Sequence, residues 1–183
     1  MKHNAKSIRA FIGAINFEES RLFYQEFGFE ESIQQTCQLK NKIMIAKYLW
    51  ETGSIIIAML GGLHLYYTFF TNKFSSRNEK VVEEMRTSFP NLTKKTTMWK
   101  SWIGFNGSHS SGAIFIGIIN FYLASQYFTV LQSDHFFFLF NILTIAFYVF
   151  LAKKYWFNIP LTGIVMVLVC FTISYILTLI KFT

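Results

Sequence analysis

Residues 159–180 read IPLTGIVMVLVCFTISYILTLI, and none of them is Lys, Arg, Asp or Glu. A helix that crosses the hydrocarbon core of a bilayer needs about 20 consecutive apolar residues. Pro160 stands at the start of this run, where its missing N–H costs a helix little. The run therefore predicts a transmembrane helix over 159–180.

Three other apolar runs precede this one and predict helices over about 46–70, 98–126 and 135–152. The run at 135–152 is near the lower length limit, and Asp134 and His135 are expected at its interfacial end. The runs lack the alternation of the ~10-residue strands of a membrane barrel. The expected fold class is thus an all-α membrane protein, a four-helix transmembrane bundle.

The composition supports the same class. Hydrophobic residues make up 52% of the 183 residues and charged residues only 15%, and 22 residues are Phe. An average soluble domain is about 45–50% apolar and about 25% charged. These proportions argue against a soluble globular domain, a disordered chain and a fibre, and they favour an integral membrane protein whose main partner is the lipid bilayer.

The net charge of +7 is a topology signal and gives no support for nucleic-acid binding. Cytoplasmic loops of membrane proteins carry an excess of Lys and Arg. The loop after the first run and the loop at 153–154 are basic, whereas 127–134 has no basic residue. We therefore expect a multi-pass protein of the bacterial inner membrane, with the basic loops in the cytoplasm and both chain ends outside. Basic residues before the first helix favour the opposite orientation. The basic residues of the first loop are Lys73, Arg77, Lys80, Arg86, Lys94, Lys95 and Lys100.

The first loop also contains apolar residues at helical spacing, at Val81, Val82, Met85 and Phe89. A short helix with one apolar and one charged face lies in the membrane interface. Pro90 would end it. The loop is expected to hold a short amphipathic surface helix.

The first 43 residues differ in character from the rest, since they are polar and nearly balanced in charge. Residues 8–15 resemble a short strand, 17–27 show a helical pattern, and 29–34 can begin a second strand. The stretch IRAFIGAINFEESRLFYQEFGFE resembles the first strand–helix–strand of the vicinal-oxygen-chelate superfamily, which includes the glyoxalase and bleomycin-resistance proteins. The resemblance, over residues 8–30, implies a truncated, incomplete α/β extension over 1–43. That family's metal ligand on the first strand is His, Gln or Glu, and none occurs in 8–15, so its metal and its chemistry are not carried over.

The second apolar run contains two distinctive faces. Small residues recur at the spacing of one helix face, which lets another helix approach closely; these are Gly104, Ser108, Ser111 and Gly112. The neighbouring face carries Trp102, Asn106 and His109. Polar groups inside a membrane helix usually face the bundle interior. The first run adds two more candidates, Glu51 and His64, and the third run adds Asn141.

Three interpretations of His64, Asn106 and His109 are open. They can form an interhelical hydrogen-bond cluster that fixes the packing. They can form a site for a small ligand, an ion or a proton path, because neutral His relays protons near physiological pH. They can also place two imidazoles around a haem or a metal in a redox protein. Glu51 follows Lys47 by four residues, which favours an ion pair over a functional carboxylate.

Residues 44–183 also resemble an uncharacterised family of small four-helix bacterial membrane proteins. The resemblance rests on segments around the candidate residues: 48–54, 62–65, 67–70, 96–100 and 102–110. It implies a membrane location and the four-helix fold over 44–183, and it brings no activity.

The leading functional hypothesis is a non-enzymatic membrane protein that binds a small ligand or a partner between the first two transmembrane helices. No carboxylate cluster or Cys motif suggests a catalytic residue, a metal or a cofactor. A redox protein using His64 and His109 is one alternative. An oligomeric transporter or channel subunit is another, and a homo-oligomer is a possible state of the chain.

Overall fold

A computed structural model of the chain describes the backbone of residues 30–180 and the side chains of residues 38–180. This part of the chain is helical and contains no β-strand. It forms five helices: α1 (Glu30–Phe70), α2 (Glu79–Thr87), α3 (Met98–Leu131), α4 (His135–Tyr155) and α5 (Asn158–Leu179). The chain divides into two compact units, Met1–Asn41 and Lys42–Thr183, and the second contains the bundle described below.

Four of these helices are long and apolar enough to cross a membrane. The qualifying segments are 33, 34, 21 and 22 residues long: Gln38–Phe70, Met98–Leu131, His135–Tyr155 and Asn158–Leu179. Their number and order confirm the four helices expected from the apolar runs. The short helix α2 also lies where the sequence predicts a helix, and none of its residues is buried.

The first helix begins earlier than the apolar run suggests. The strand expected at 29–34 is wrong for residues 30–34, which belong to α1. Residues 30–43 are rich in Glu, Gln and Lys and contain neither Gly nor Pro, so the helix continues upstream without a break. The remainder of the proposed α/β extension, including the helix expected at 17–27, lies outside the described residues.

Polar side chains mark where the helices begin. Asn78, Thr97 and Asp134 are the N-caps of α2, α3 and α4, and each side chain accepts a hydrogen bond from a backbone N–H in the first turn. Such a cap satisfies one of the donors that a helix start leaves unpaired. α3 is kinked at Tyr127, whose φ of −126° and ψ of 18° are not helical. The kink lies just beyond residue 126, where the apolar run predicted the end of the helix.

The side-chain contacts give successive long helices opposite directions. Trp50, in the first half of the span Gln38–Phe70 of α1, packs against Phe138 near the start of α4 and Phe171 in the second half of α5. Its indole also bonds Asn120, late in α3. Near the other end of α1, His64 meets Asn106, early in α3. The chain therefore forms an up–down–up–down bundle. The links at 132–134 and 156–157 are short, and short links join antiparallel neighbours.

Small residues let α1 and α3 approach closely. A Cβ added to Gly117 would lie 2.6 Å from the Ser54 carbonyl oxygen and 2.6 Å from the Ala58 Cβ. A Cβ added to Gly61 would lie 2.9 Å from the Ser110 carbonyl oxygen. We call this contact the glycine seam. Close approach of backbones at small residues is typical of helix pairs in membranes.

Candidate functional site

Polar side chains collect at two levels of the bundle. The histidine site consists of His64, Asn106 and His109, close to the basic loops. The asparagine network consists of Trp50, Asn120 and Asn141, near the opposite end. His64 follows Trp50 by fourteen residues, so the two levels lie about 21 Å apart along α1 at 1.5 Å per residue.

The three residues of the histidine site, whose convergence the sequence left open, lie close together. The His64 Nε2 and the Asn106 Oδ1 are 3.0 Å apart. The Asn106 Nδ2 donates to the Trp102 carbonyl oxygen at 2.8 Å, which leaves Oδ1 to face His64. An amide oxygen only accepts hydrogen bonds, so the His64 Nε2 carries the proton and donates it. This bond fixes the orientation of the His64 ring.

His109 lies at the centre of an aromatic group drawn from three helices and a loop. Its ring centroid is 5.6 Å from that of His64, with the ring planes at 71°. Tyr148 of α4 lies 5.4 Å away, and Trp156, in the short link between α4 and α5, lies 5.1 Å away. Centroid separations of 4.5–7 Å are those at which aromatic rings attract each other.

A cavity of about 190 Å³ opens beside these rings. Its wall is mostly apolar and comes from α1, α3, α4, the start of α5 and Phe74 of the first loop. Its polar lining groups are His64, His109, Ser110, Tyr67 and Tyr148. A concave, mainly apolar pocket with a few convergent polar groups is the usual form of a small-molecule site.

Four polar groups in this wall have no hydrogen-bond partner among the described residues: the His109 imidazole, the Trp156 indole N–H and the hydroxyls of Tyr67 and Tyr148. No hydrogen bond within the described part of the chain reaches the His109 imidazole or the Tyr148 hydroxyl. No buried side-chain nitrogen or oxygen in this part of the chain lacks a hydrogen-bond partner, so these two groups reach open space. They retain their capacity to donate and to accept a hydrogen bond.

Glu51 and Trp102, named with this cluster as candidates, do not join it, and Glu51 forms the ion pair that its spacing from Lys47 predicts. Glu51 lies about 20 Å along α1 from His64 and pairs with Lys47, whose Nζ is 3.7 Å from its Oε1. The Lys47 Nζ also donates to the Ser125 carbonyl oxygen at 3.0 Å. The Trp102 ring stacks on Trp99 at 5.3 Å, so this residue contributes only its backbone carbonyl to the site.

The stripe of Gly104, Ser108, Ser111 and Gly112 does not carry the helix contact made within the chain. A Cβ added to Gly104 or Gly112 would meet nothing within 4 Å. The packed face of α3 is the neighbouring one, which contains Gly107, Ser110, Ala113 and Gly117. Both faces of α3 hold small residues at helical spacing. Only the face that contains the glycine seam packs against α1. Close approach of another helix to the stripe stays a prediction.

The asparagine network was largely missed from the sequence, where Asn141 alone stood out. The Trp50 Nε1 donates to the Asn120 Oδ1 at 3.0 Å, and the Asn120 Nδ2 donates to the Asn141 Oδ1 at 2.8 Å. The Asn120 Nδ2 also donates to the Ile116 carbonyl oxygen, and the Asn141 Nδ2 donates to the Phe137 carbonyl oxygen. A central Asn in an apolar helix is the signal that could have identified Asn120.

The described residues contain no group of three His, Cys, Asp or Glu side chains arranged to hold a metal ion. Comparison of the chain with protein-family models, with curated proteins and with solved structures gives no match.

Proposed function

We propose that this chain is an integral membrane protein with four spans that binds a small neutral ligand in the cavity beside His64 and His109. The observation that carries the proposal is the cavity itself, a mainly apolar space of about 190 Å³ whose wall includes polar groups, among them His109 and Tyr148, with no partner among the described residues. A hydrogen-bond cluster that served packing alone would leave neither a cavity nor unpaired groups.

Outward-facing apolar side chains support the membrane location. Leu143, Phe147 and Phe150 of α4 are each more than half exposed, and Val130 and Phe115 of α3 are exposed to a similar extent. Soluble monomers rarely expose contiguous apolar patches larger than a few hundred Å². A surface of this kind around four long helices fits lipid as the surrounding solvent. The resemblance of residues 44–183 to small four-helix bacterial membrane proteins agrees with this location.

The proposed orientation puts the histidine site in the cytoplasmic half of the membrane. The basic loops connect α1 to α3 and α4 to α5, at the end of the bundle where the histidine site lies. Cytoplasmic loops carry the Lys and Arg excess. We therefore propose that residues 71–97 and 153–157 face the cytoplasm of a bacterial cell and that residues 132–134 face outside.

Cysteine labelling in intact cells tests this orientation. In a chain whose native Cys37 and Cys170 are replaced by Ser, Ser133→Cys should react with an impermeant maleimide, and Ser76→Cys should react only after lysis. The reverse pattern would overturn the orientation, and extraction of the protein by alkaline carbonate would overturn the membrane location.

The binding site is tested with fluorobenzene, followed by ¹⁹F NMR on the protein in lipid nanodiscs. A benzene-sized molecule should show a saturable bound signal that empty nanodiscs lack. Ile164 lines the cavity and is 2% exposed, whereas the adjacent Val165 is turned outward. Ile164→Phe should fill the cavity and abolish the bound signal, and Val165→Phe should retain it.

Equal signals from these two variants would contradict the proposal, as would no saturable signal from the native chain. The same purified sample separates the redox alternative, since a Soret absorption band would show that His64 and His109 hold a haem instead.

A further inference from the structure

We infer that the ligand of this cavity is a phenol, a neutral molecule with one aromatic ring and a ring hydroxyl group, that enters sideways from the lipid. The inference rests on the proposed function and names the chemical class of its ligand. It is drawn from the volume of the cavity, the composition of its wall, the unpaired polar groups and the place where the wall is open.

The volume fits a single ring. A cavity of about 150 Å³ in an apolar protein core stays dry and binds benzene. The cavity here, at about 190 Å³, is larger by roughly the space that one or two substituents on such a ring occupy. A fused ring system of drug size needs a pocket of about 300 Å³ or more.

The wall favours an aromatic molecule without charge. Seven of its sixteen residues carry aromatic rings: His64, Tyr67, Phe74, His109, Tyr148, Trp156 and Phe157. Offset and edge-to-face contacts between such rings and a bound ring stabilise it beyond the burial of its area. None of the sixteen is Lys, Arg, Asp or Glu, so a carboxylate or an ammonium group would enter without a partner of opposite charge, at a high desolvation cost.

The unpaired polar groups favour a hydroxyl. The His109 imidazole in its neutral form offers one donor and one acceptor, and the Tyr148 hydroxyl offers both. The two rings are 5.4 Å apart between centroids, close enough to meet on one ligand atom. A ring hydroxyl, which donates one bond and accepts another, matches this pair, whereas an unsubstituted hydrocarbon ring leaves both groups unpaired.

The exposed rim of the cavity is apolar. Phe74 packs on His64 at 4.6 Å and Trp156 packs on His109 at 5.1 Å, and these two rings cover part of the cavity. The exposed lining residues are Leu63 of α1, Phe157 in the link between α4 and α5, and Ile159 at the start of α5, at 50%, 56% and 76% exposure. All three are apolar, so the entrance is of a kind that a molecule dissolved in lipid can cross.

The test compares 4-fluorophenol with fluorobenzene, two probes of nearly the same shape, by ¹⁹F NMR on the full chain in nanodiscs. Each affinity is expressed relative to the probe's concentration in the lipid of empty nanodiscs. One net hydrogen bond corresponds to a factor of about 2–12 in affinity. We expect 4-fluorophenol to bind about fivefold to tenfold more tightly than fluorobenzene.

Tyr148→Phe removes only the hydroxyl, so it should reduce this preference at least threefold. The matched control is Tyr122→Phe, at an exposed tyrosine near the other end of α3, which should leave both affinities unchanged. His109→Phe should also reduce the preference.

Equal affinities of the native chain for the two probes would overturn the phenol assignment and leave the proposed binding site standing. The absence of saturable binding for both probes would overturn the site as well. A preference for 4-fluorophenol that survives both Tyr148→Phe and His109→Phe would place the hydroxyl elsewhere and overturn the assignment. For the route of entry, Leu63→Trp should slow exchange of the bound probe, and unchanged exchange would overturn the lateral entrance.

Discussion

The histidine site and the asparagine network use similar side chains for different ends. In the network, Trp50 and Asn120 are at most 2% exposed, and every polar atom has a partner. In the histidine site the rings are half-buried, a cavity lies beside them, and the His109 and Tyr148 polar groups have no partner among the described residues. A polar group that is fully paired and buried contributes to packing, whereas one that is half-buried beside a cavity is available to a ligand.

The largest effect is expected from Trp50→Ala. The Trp50 ring stacks on Phe171 at 3.9 Å and meets Phe138 edge-on, so its removal leaves a cavity among three helices. Loss of a buried large aromatic side chain costs about 3–5 kcal/mol. Reversible unfolding in mixed micelles with increasing SDS measures this change.

Tyr48→Ala is the control for Trp50→Ala, since Tyr48 lies two residues away and is 57% exposed. It should change the free energy of unfolding by less than about 1 kcal/mol. If the two variants were equally stable, the Trp50 end would not be the packed core of the bundle.

A smaller effect is expected from Gly117→Val, in the glycine seam. The added side chain would meet the Ser54 carbonyl oxygen and Ala58, and overpacking of this kind costs about 1–3 kcal/mol. Gly112→Val adds the same side chain where nothing lies within 4 Å, so it should leave the unfolding of the monomer unchanged.

Cross-linking of the Gly112→Val chain in membranes then separates two roles of the stripe on α3. A change in self-association without a change in monomer stability would assign the stripe to contact between copies. Destabilisation of the dilute monomer would contradict the packing described for α3.

The two asparagines are expected to differ, and Asn106→Leu should have the smallest effect of all. Asn120→Leu leaves the Trp50 N–H and the Asn141 amide buried without this partner, at a cost of about 1–3 kcal/mol. Asn106→Leu removes one bond from His64, and an interhelical bond of this kind averages about 0.6 kcal/mol in membranes. The same SDS titration compares the two, and a larger loss from Asn106→Leu would reverse the roles assigned to the two levels.

The sequence was sufficient for the number of helices because length and apolar composition decide it, as the charge-free run at 159–180 illustrates. It also marked His64, Asn106 and His109 as candidates, because a polar group in an apolar helix usually faces the bundle interior, but it left open whether they converge. It did not determine the rotation of α3, since small residues occupy both the Gly104 face and the Gly107 face. Only the partner helix selects between them.

Helix ends were less predictable than helix centres. The residues before residue 46 are polar, so the apolar run begins there. The helix α1 nevertheless begins earlier, because Glu, Gln and Lys continue a helix as readily as Leu does. The role of Trp50 was hidden for a related reason, since an indole in an apolar run resembles any other large side chain. Its partner Asn120 lies 70 residues away.

Lys73 and Phe74 are consecutive residues that serve different surroundings. The Lys73 ammonium lies over the Tyr67 ring at 4.4 Å, on the basic side, while the Phe74 ring packs on His64 and forms part of the cavity wall. One peptide bond therefore joins the roof of the binding site to a charge that faces the membrane surface. Any force that draws the lysine outward, such as a high density of anionic headgroups, acts on the phenylalanine as well. A displacement of the backbone at Lys73 would therefore also move a ring of the cavity wall.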